Sequence, residues 1–173
     1  MNQLFDRMLR AARLDVALYE EVEADQSALG QAAIVVVLSS LAGGIGTVNL
    51  PGGPGIVVGT IGALVGWGLW ALLTYLIGTK LLPEPGTEAD VGQLLRTIGF
   101  SASPGLLRIF GVVPLIGPLV ALGASLWMLA TMVVAVRQAL DYKSTGRAVG
   151  VCALGFVVQV VIMALLLRPS GMP

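Results

Sequence analysis

Thr97, Ser101, Pro104 and Arg108 follow one another at intervals of four, three and four residues, the spacing that stacks side chains on one face of an α-helix. Two hydroxyls, a proline and a guanidinium on one stripe within an apolar segment are the groups that would line a solute path through a membrane. Pro104 frees the carbonyl of Phe100, and Ser101 and Ser103 stand where their hydroxyls compensate. At 1.5 Å per residue, Arg108 lies about 18 Å along a helix from Arg96. A charge inside a membrane segment is a functional hypothesis by default, set against the simpler reading that Arg108 snorkels outward to water. No Asp or Glu occurs within an apolar segment, so carbonyls, headgroups or a partner must neutralise it.

The remaining polar groups are few. Arg137, Gln138 and Asp141 close a later apolar segment, and Arg137 and Asp141, four apart, are spaced to pair for a few tenths of a kcal/mol. Gln159 sits in the middle of the last apolar segment, one turn from Gly155 and Phe156, and needs a partner across helices. Trp67, Trp70 and Trp127 fall mid-segment and not at the interfaces where belt tryptophans belong, which predicts burial between helices. Cys152 reads as a small packing residue.

Catalysis finds little to work with. The chain has no histidine and one cysteine, which removes the usual general base, every His-dependent triad and Cys-based metal cages. There is no acid pair in the apolar segments, no nucleophile–base pair and no P-loop. The reading is therefore not an enzyme, with no metal and no cofactor. Ten basic against ten acidic residues give a formal charge of zero, with no field for nucleic acid.

The elements that position these residues follow from the charge map. The 173 residues are 56% hydrophobic and 12% charged, with a mean hydropathy of +0.90, half the charge of an average soluble domain. This is the composition of an integral membrane protein. Residues 26–79 carry no charge, room for two spans of about 20 residues each. Pro51-Gly52-Gly53-Pro54-Gly55 breaks them into a helical hairpin. The expected fold is all-α: an amphipathic cytoplasmic helix over 1–25, then five spans within 26–168, at about 27–50, 55–80, 94–113, 118–140 and 147–168. With the N-terminus in the cytoplasm and the C-terminus outside, Arg7, Arg10, Arg13, Lys80, Arg96, Arg137, Lys143 and Arg147 lie inside, and only Arg108 and Arg168 lie outside. Fusing the third and fourth spans moves three of those cations out, so the positive-inside rule selects five spans. The first apolar run is too long, and begins too far from the N-terminus, for a secretory signal. A bacterial inner membrane suits such a chain.

In the tail, Phe5, Leu9, Ala12, Val16 and Tyr19 share a helical face widened by Leu4, Met8, Leu18 and Val22. Such a helix lies on the membrane surface or on the bundle; the sharper reading is a docking helix for a partner protein. Three arginines against six acids there exclude a polybasic lipid anchor. In the second span, Gly55, Gly59, Gly62 and Gly66 form small-xxx-small steps that let helices approach closely, with Ala42 and Gly46 of the first span placed to face them. Packing within the monomer is the first reading and a dimer interface the second.

The stretch Gln93-Leu94-Leu95-Arg96-Thr97-Ile98-Gly99-Phe100-Ser101-Ala102-Ser103-Pro104-Gly105, then Pro114, Trp127, Arg137-Gln138-Ala139-Leu140 and Arg147-Ala148, resembles the Yip1-domain family over roughly residues 1–168. The resemblance implies a five-span integral membrane protein with a cytoplasmic N-terminal segment. Eukaryotic members work in vesicle trafficking and associate with GTPases, but the long cytoplasmic domain of those members is missing here, so GTPase binding does not carry over. The expected function is a membrane scaffold or accessory protein acting through helix faces and its cytoplasmic surface, with Arg96, Ser101, Pro104, Arg108, Trp127, Arg137, Gln138, Asp141 and Gln159 as candidate residues. Its expected partners are the lipid bilayer, other membrane proteins and, as an open option, a second copy of the chain in a homo-oligomer. The alternatives are a small-solute or ion transporter using the broken third span, and a small subunit of a larger energy-converting complex.

Overall fold

The computed structural model describes residues 2–48 and 55–166, and among these it is helical with no strand. The expected turn over 51–54 and Arg168 lie outside the described residues.

The tail forms two helices, α1 (Asn2–Ala12) and α2 (Val16–Ala24). Leu14 takes a left-handed φ of 63° between them, and the Asp15 carboxylate caps α2 by accepting from the Ala17 N–H at 3.0 Å. This break resets the helical register, so the expected single stripe does not hold. Phe5 is 68% exposed and Val16 43%, while Met8, Ala11, Leu18, Tyr19 and Val22 form the buried face. That face packs on the helices Val91–Ser101 and Gly117–Ala139.

Among the described residues four helices are long and apolar enough to cross a membrane: α3 (Ala28–Gly46), α4 (Ile56–Leu76, continued by a π turn over Ile77–Leu81), α6 (Gly117–Ala139) and α7 (Thr145–Leu166). Along α3 the buried residues Ala28, Ala32, Val35, Ser39, Ala42 and Gly46 alternate steps of four and three, which keeps one seam facing inward.

The segment expected as a single third span is divided. Helix α5 (Val91–Ser101) opens with a capping box: the Gln93 N–H donates to Asp90 Oδ1 at 2.9 Å and the Asp90 N–H to Gln93 Oε1 at 2.6 Å. It ends three residues before Pro104, and a 3-10 helix runs over Ser103–Val112 with Pro104 in its first turn. Neither piece alone has the length of an apolar α-helical span. Phe100 of α5 joins the core that holds the N-terminal hairpin, and Leu94 and Ile98 join the core shared by α4, α6 and α7. The broken element thus stands between the two cores.

At the end of the bundle where α4 leaves, the loops are tied together. The Tyr142 hydroxyl lies within hydrogen-bonding distance of the carbonyls of Gly78 (2.8 Å) and Leu82 (2.6 Å), its one proton shared between them. The Lys143 N–H donates to the Glu84 carboxylate at 2.9 Å, and Arg147 Nη1 to the Pro83 carbonyl at 2.6 Å.

Candidate functional site

The break in the third element leaves main-chain carbonyls inside the bundle, and hydroxyls take them up. Ser103 Oγ donates to the Phe100 carbonyl at 2.6 Å and Ser101 Oγ to that of Ile98 at 2.7 Å. Thr131 Oγ1, from α6, donates to the Ser101 carbonyl at 2.7 Å. Ser101, Ser103 and Thr131 are all buried, where an unmet carbonyl costs about 1–3 kcal/mol. Ser103 does what its spacing predicts; Thr131 was silent, because one threonine in an apolar helix has no local signature.

Past Pro104 the repeat changes. A 3-10 helix eclipses side chains at i and i+3, so Arg108 aligns with Gly105 and Gly111, and the expected α-helical stripe joining it to Pro104 and Ser101 is not formed. This new stripe faces α3. A Cβ added at Gly105 would strike Ser39 Oγ, one at Gly46 would strike the Arg108 carbonyl, and one at Gly111 would come within 2.8 Å of the Gly46 carbonyl. Gly46 therefore packs on the 3-10 segment, whose shortened repeat turns its glycines toward it, and it lines one cleft with Gly55 and Gly59 of the α4 glycine steps.

The close approach places Arg108. Its Nη2 donates to the Ser39 carbonyl at 2.9 Å and to Ser39 Oγ at 3.1 Å, and its Nε donates to the Gly105 carbonyl at 3.3 Å. Arg108 turns toward the carbonyls of Ser39 and Gly105. A guanidinium has five N–H donors, and those on Nη1 have no partner among the described residues. No carboxylate lies within ion-pairing distance of Arg108 among them either.

Two clefts meet at Arg108. One of about 250 Å³ is lined by Ser101, Arg108, Trp67, Trp70, Met132 and Gln159. Another, of about 500 Å³, reaches the end where α3 and α4 join and is lined by glycines that include Gly43, Gly55 and Gly59. Trp67 Nε1 donates to the Leu95 carbonyl at 3.0 Å. Among the described residues neither the buried Trp70 Nε1 nor the Gln159 amide has a hydrogen-bond partner. The structure thus brings Ser101, Arg108 and Gln159 together, and adds Ser39. The Ser39-Ser40 pair in an otherwise apolar run was the available signal for that residue. Gly55, Gly59 and Gly66 border the clefts, and beside Gly62 and Gly66 there is open space for a Cβ.

The other candidates lie elsewhere. Arg96 is 7% exposed and reaches back to α2, its Nε donating to the Val22 carbonyl at 2.9 Å and its Nη2 to that of Glu23. Arg137 donates to the carbonyls of Tyr142 (3.2 Å) and Lys143 (3.5 Å). It does not pair with Asp141, because α6 has ended and Asp141 turns the chain with φ 53°. Gln138 is half-buried beside it. Trp127 is 43% exposed and donates to the Ala12 carbonyl of α1 at 2.7 Å; the expected burial is corrected by its position outside the helix seams. Cys152 is half-buried.

A second polar centre joins the N-terminal hairpin to α3. Arg7, 4% exposed, donates to Glu21 (2.9 Å), Asp25 (2.8 Å) and Gln31 (3.1 Å), and Arg10 to Asp15 (2.8 Å) and Glu21 (2.6 Å). The Arg10 hydrogen bonds hold the Asp15 and Glu21 carboxyls below the usual range, and hydrogen bonds from Ser27 and Arg7 do so for Asp25.

Compared with known proteins, the chain matches the family description of the Yip1 domain over residues 16–166. No curated protein and no solved structure matches it.

Proposed function

Because the chain belongs to the Yip1-domain family of integral membrane proteins, we propose that it is a non-catalytic membrane scaffold or accessory protein that works by binding other membrane proteins. The observation that carries this reading is the open face of α4. In the 18-residue apolar stretch taken within Ile56–Leu81 only 6% of the residues are buried, against 17–33% in the matching stretches of the other three long helices. Gly62 lies exposed among Val58, Ile61, Val65 and Leu69, an approach site for a foreign helix of the kind that packs closely in lipid.

The reading places five spans in the membrane, the third being α5 and the 3-10 helix in series. At 1.5 and 2.0 Å per residue these sum to about 36 Å end to end, enough for a hydrocarbon core of about 30 Å. The N-terminal hairpin, Arg96 and the 82–90 loop lie on the cytoplasmic side of a bacterial inner membrane, as the distribution of cations supports.

Purification from native membranes in mild detergent, sized on a native gel and identified by mass spectrometry, tests the proposal. A partner in fixed stoichiometry, lost in Gly62→Leu, is expected. A lone monomer would overturn it.

A further inference from the structure

We infer that the joined clefts hold one anionic phospholipid of the surrounding bilayer, with its phosphate on Arg108 and an acyl chain in the cleft lined by Trp67 and Trp70. This goes beyond partner binding and does not depend on it.

The chemistry of the walls selects such a ligand. Nη2 and Nε of Arg108 are spent on Ser39 and Gly105, which fixes the plane of the guanidinium. Among the described residues Nη1 keeps two donors without a partner and no carboxylate pairs with the charge, a half-buried cation in want of an anion. A phosphate oxygen accepts from such a fork strongly. The Gly43 position leaves the guanidinium room, since a Cβ there would lie 3.1 Å from Arg108 Cζ.

The polarity runs in one direction. Ser40 Oγ meets Thr60 Oγ1 at 3.2 Å, so the level of Ser39 and Arg108 is that of Thr60 on α4. Trp70 lies ten residues further along α4, about 15 Å deeper. From the Arg108 level inward the walls are mostly apolar, with Trp67, Trp70, Met128 and Met132 beside the polar Ser101 and Gln159, and the flexible and aromatic surfaces accept a hydrocarbon chain. From that level outward the glycine-lined cleft has the larger volume, about 500 Å³, space for a headgroup. A head-out, tail-in amphiphile matches both halves.

The test is native mass spectrometry of the purified full-length chain, released from detergent after incubation with phosphatidylglycerol, with diacylglycerol of the same chains, or with oleate. One phosphatidylglycerol retained per chain is expected, with diacylglycerol absent. Retention should fall about tenfold or more in Arg108→Gln, the loss that follows from 1.4 kcal/mol of binding. Gly66→Leu, which grows into empty space and leaves Arg108 untouched, should fall likewise by blocking the chain. Equal retention of diacylglycerol, retention of oleate alone, or unchanged retention in both variants would overturn the assignment.

Discussion

Arg96 Nε lies 2.9 Å from the carbonyl oxygen of Val22, 74 residues earlier in the chain, and the same guanidinium bonds the carbonyl of Glu23. These are carbonyls of the last turn of α2, which lack helical partners, and a cation there also meets the negative end of the helix dipole. An arginine in the third element thus caps the helix that the tail lays on the bundle.

Arg96→Ala should release α2. Charged hydrogen bonds of this kind contribute about 1.5–3 kcal/mol, so the chain in detergent should lose about that much stability, and cleavage between α2 and α3 should accelerate. Arg96→Lys, with a point charge in place of a fork, should recover part of it.

The hydroxyl from α6 is separable from its bulk. Thr131→Val keeps the shape and leaves the Ser101 carbonyl unmet, at a cost of about 1–3 kcal/mol in thermal or denaturant unfolding. Thr131→Ser should be closer to the parent. Equal stabilities for the Val and Ser variants would show that the carbonyl at the break needs no hydroxyl.

The glycines divide by what they face. Gly46→Ala and Gly105→Ala force the 3-10 segment off α3, and overpacking of this kind costs about 1–3 kcal/mol or more. Gly62→Ala meets open space and gains helix propensity, so it should be neutral or stabilising by about 0.5–1 kcal/mol. Unfolding temperatures in one detergent rank the three.

Burial first, and the neighbouring Asp141 second, raise the Glu23 carboxyl from the ordinary 4.5 to about 7, against a lowering by Arg96. Folding therefore favours its protonated form. Its contribution is full below about pH 4.5 and is lost as the pH rises through 7. Asp15, Glu21 and Asp25 are lowered, so their contribution is present above the ordinary carboxylate range and is lost on acidification. Protection of α1 and α2 from proteolysis should peak at about pH 5 and fall on both sides. Glu23→Gln should flatten the alkaline limb and spare the acidic one.

Much of the architecture was legible because lipid imposes long uncharged runs. The four long helices, the loop after Lys80 and the break near Pro104 all follow from charge and proline placement. What failed did so for local geometric reasons. The stripe through Arg108 assumed a repeat of 3.6 that Pro104 ends, and the stripe through Phe5 and Val16 assumed a helix that Leu14 interrupts. Trp127 was read from depth alone, and its bond to Ala12 joins residues 115 apart. Pairings such as Thr131 with Ser101 and Arg96 with Val22 depend on which helices become neighbours, which no local spacing encodes.

The 3-10 helix over Ser103–Val112 also behaves as an overwound screw. Its ten residues rise about 2.0 Å each where an α-helix rises 1.5 Å, so relaxing it would draw in its far end by about 5 Å. Six residues separate Gly105 from Gly111, two full turns at three per turn but about 120° short of that at 3.6. Unwinding would carry Gly111 off Gly46 and swing Arg108 away from Ser39. The thread is held by contacts too close for any side chain, so pitch, reach and the aim of the guanidinium are set together by the same glycines.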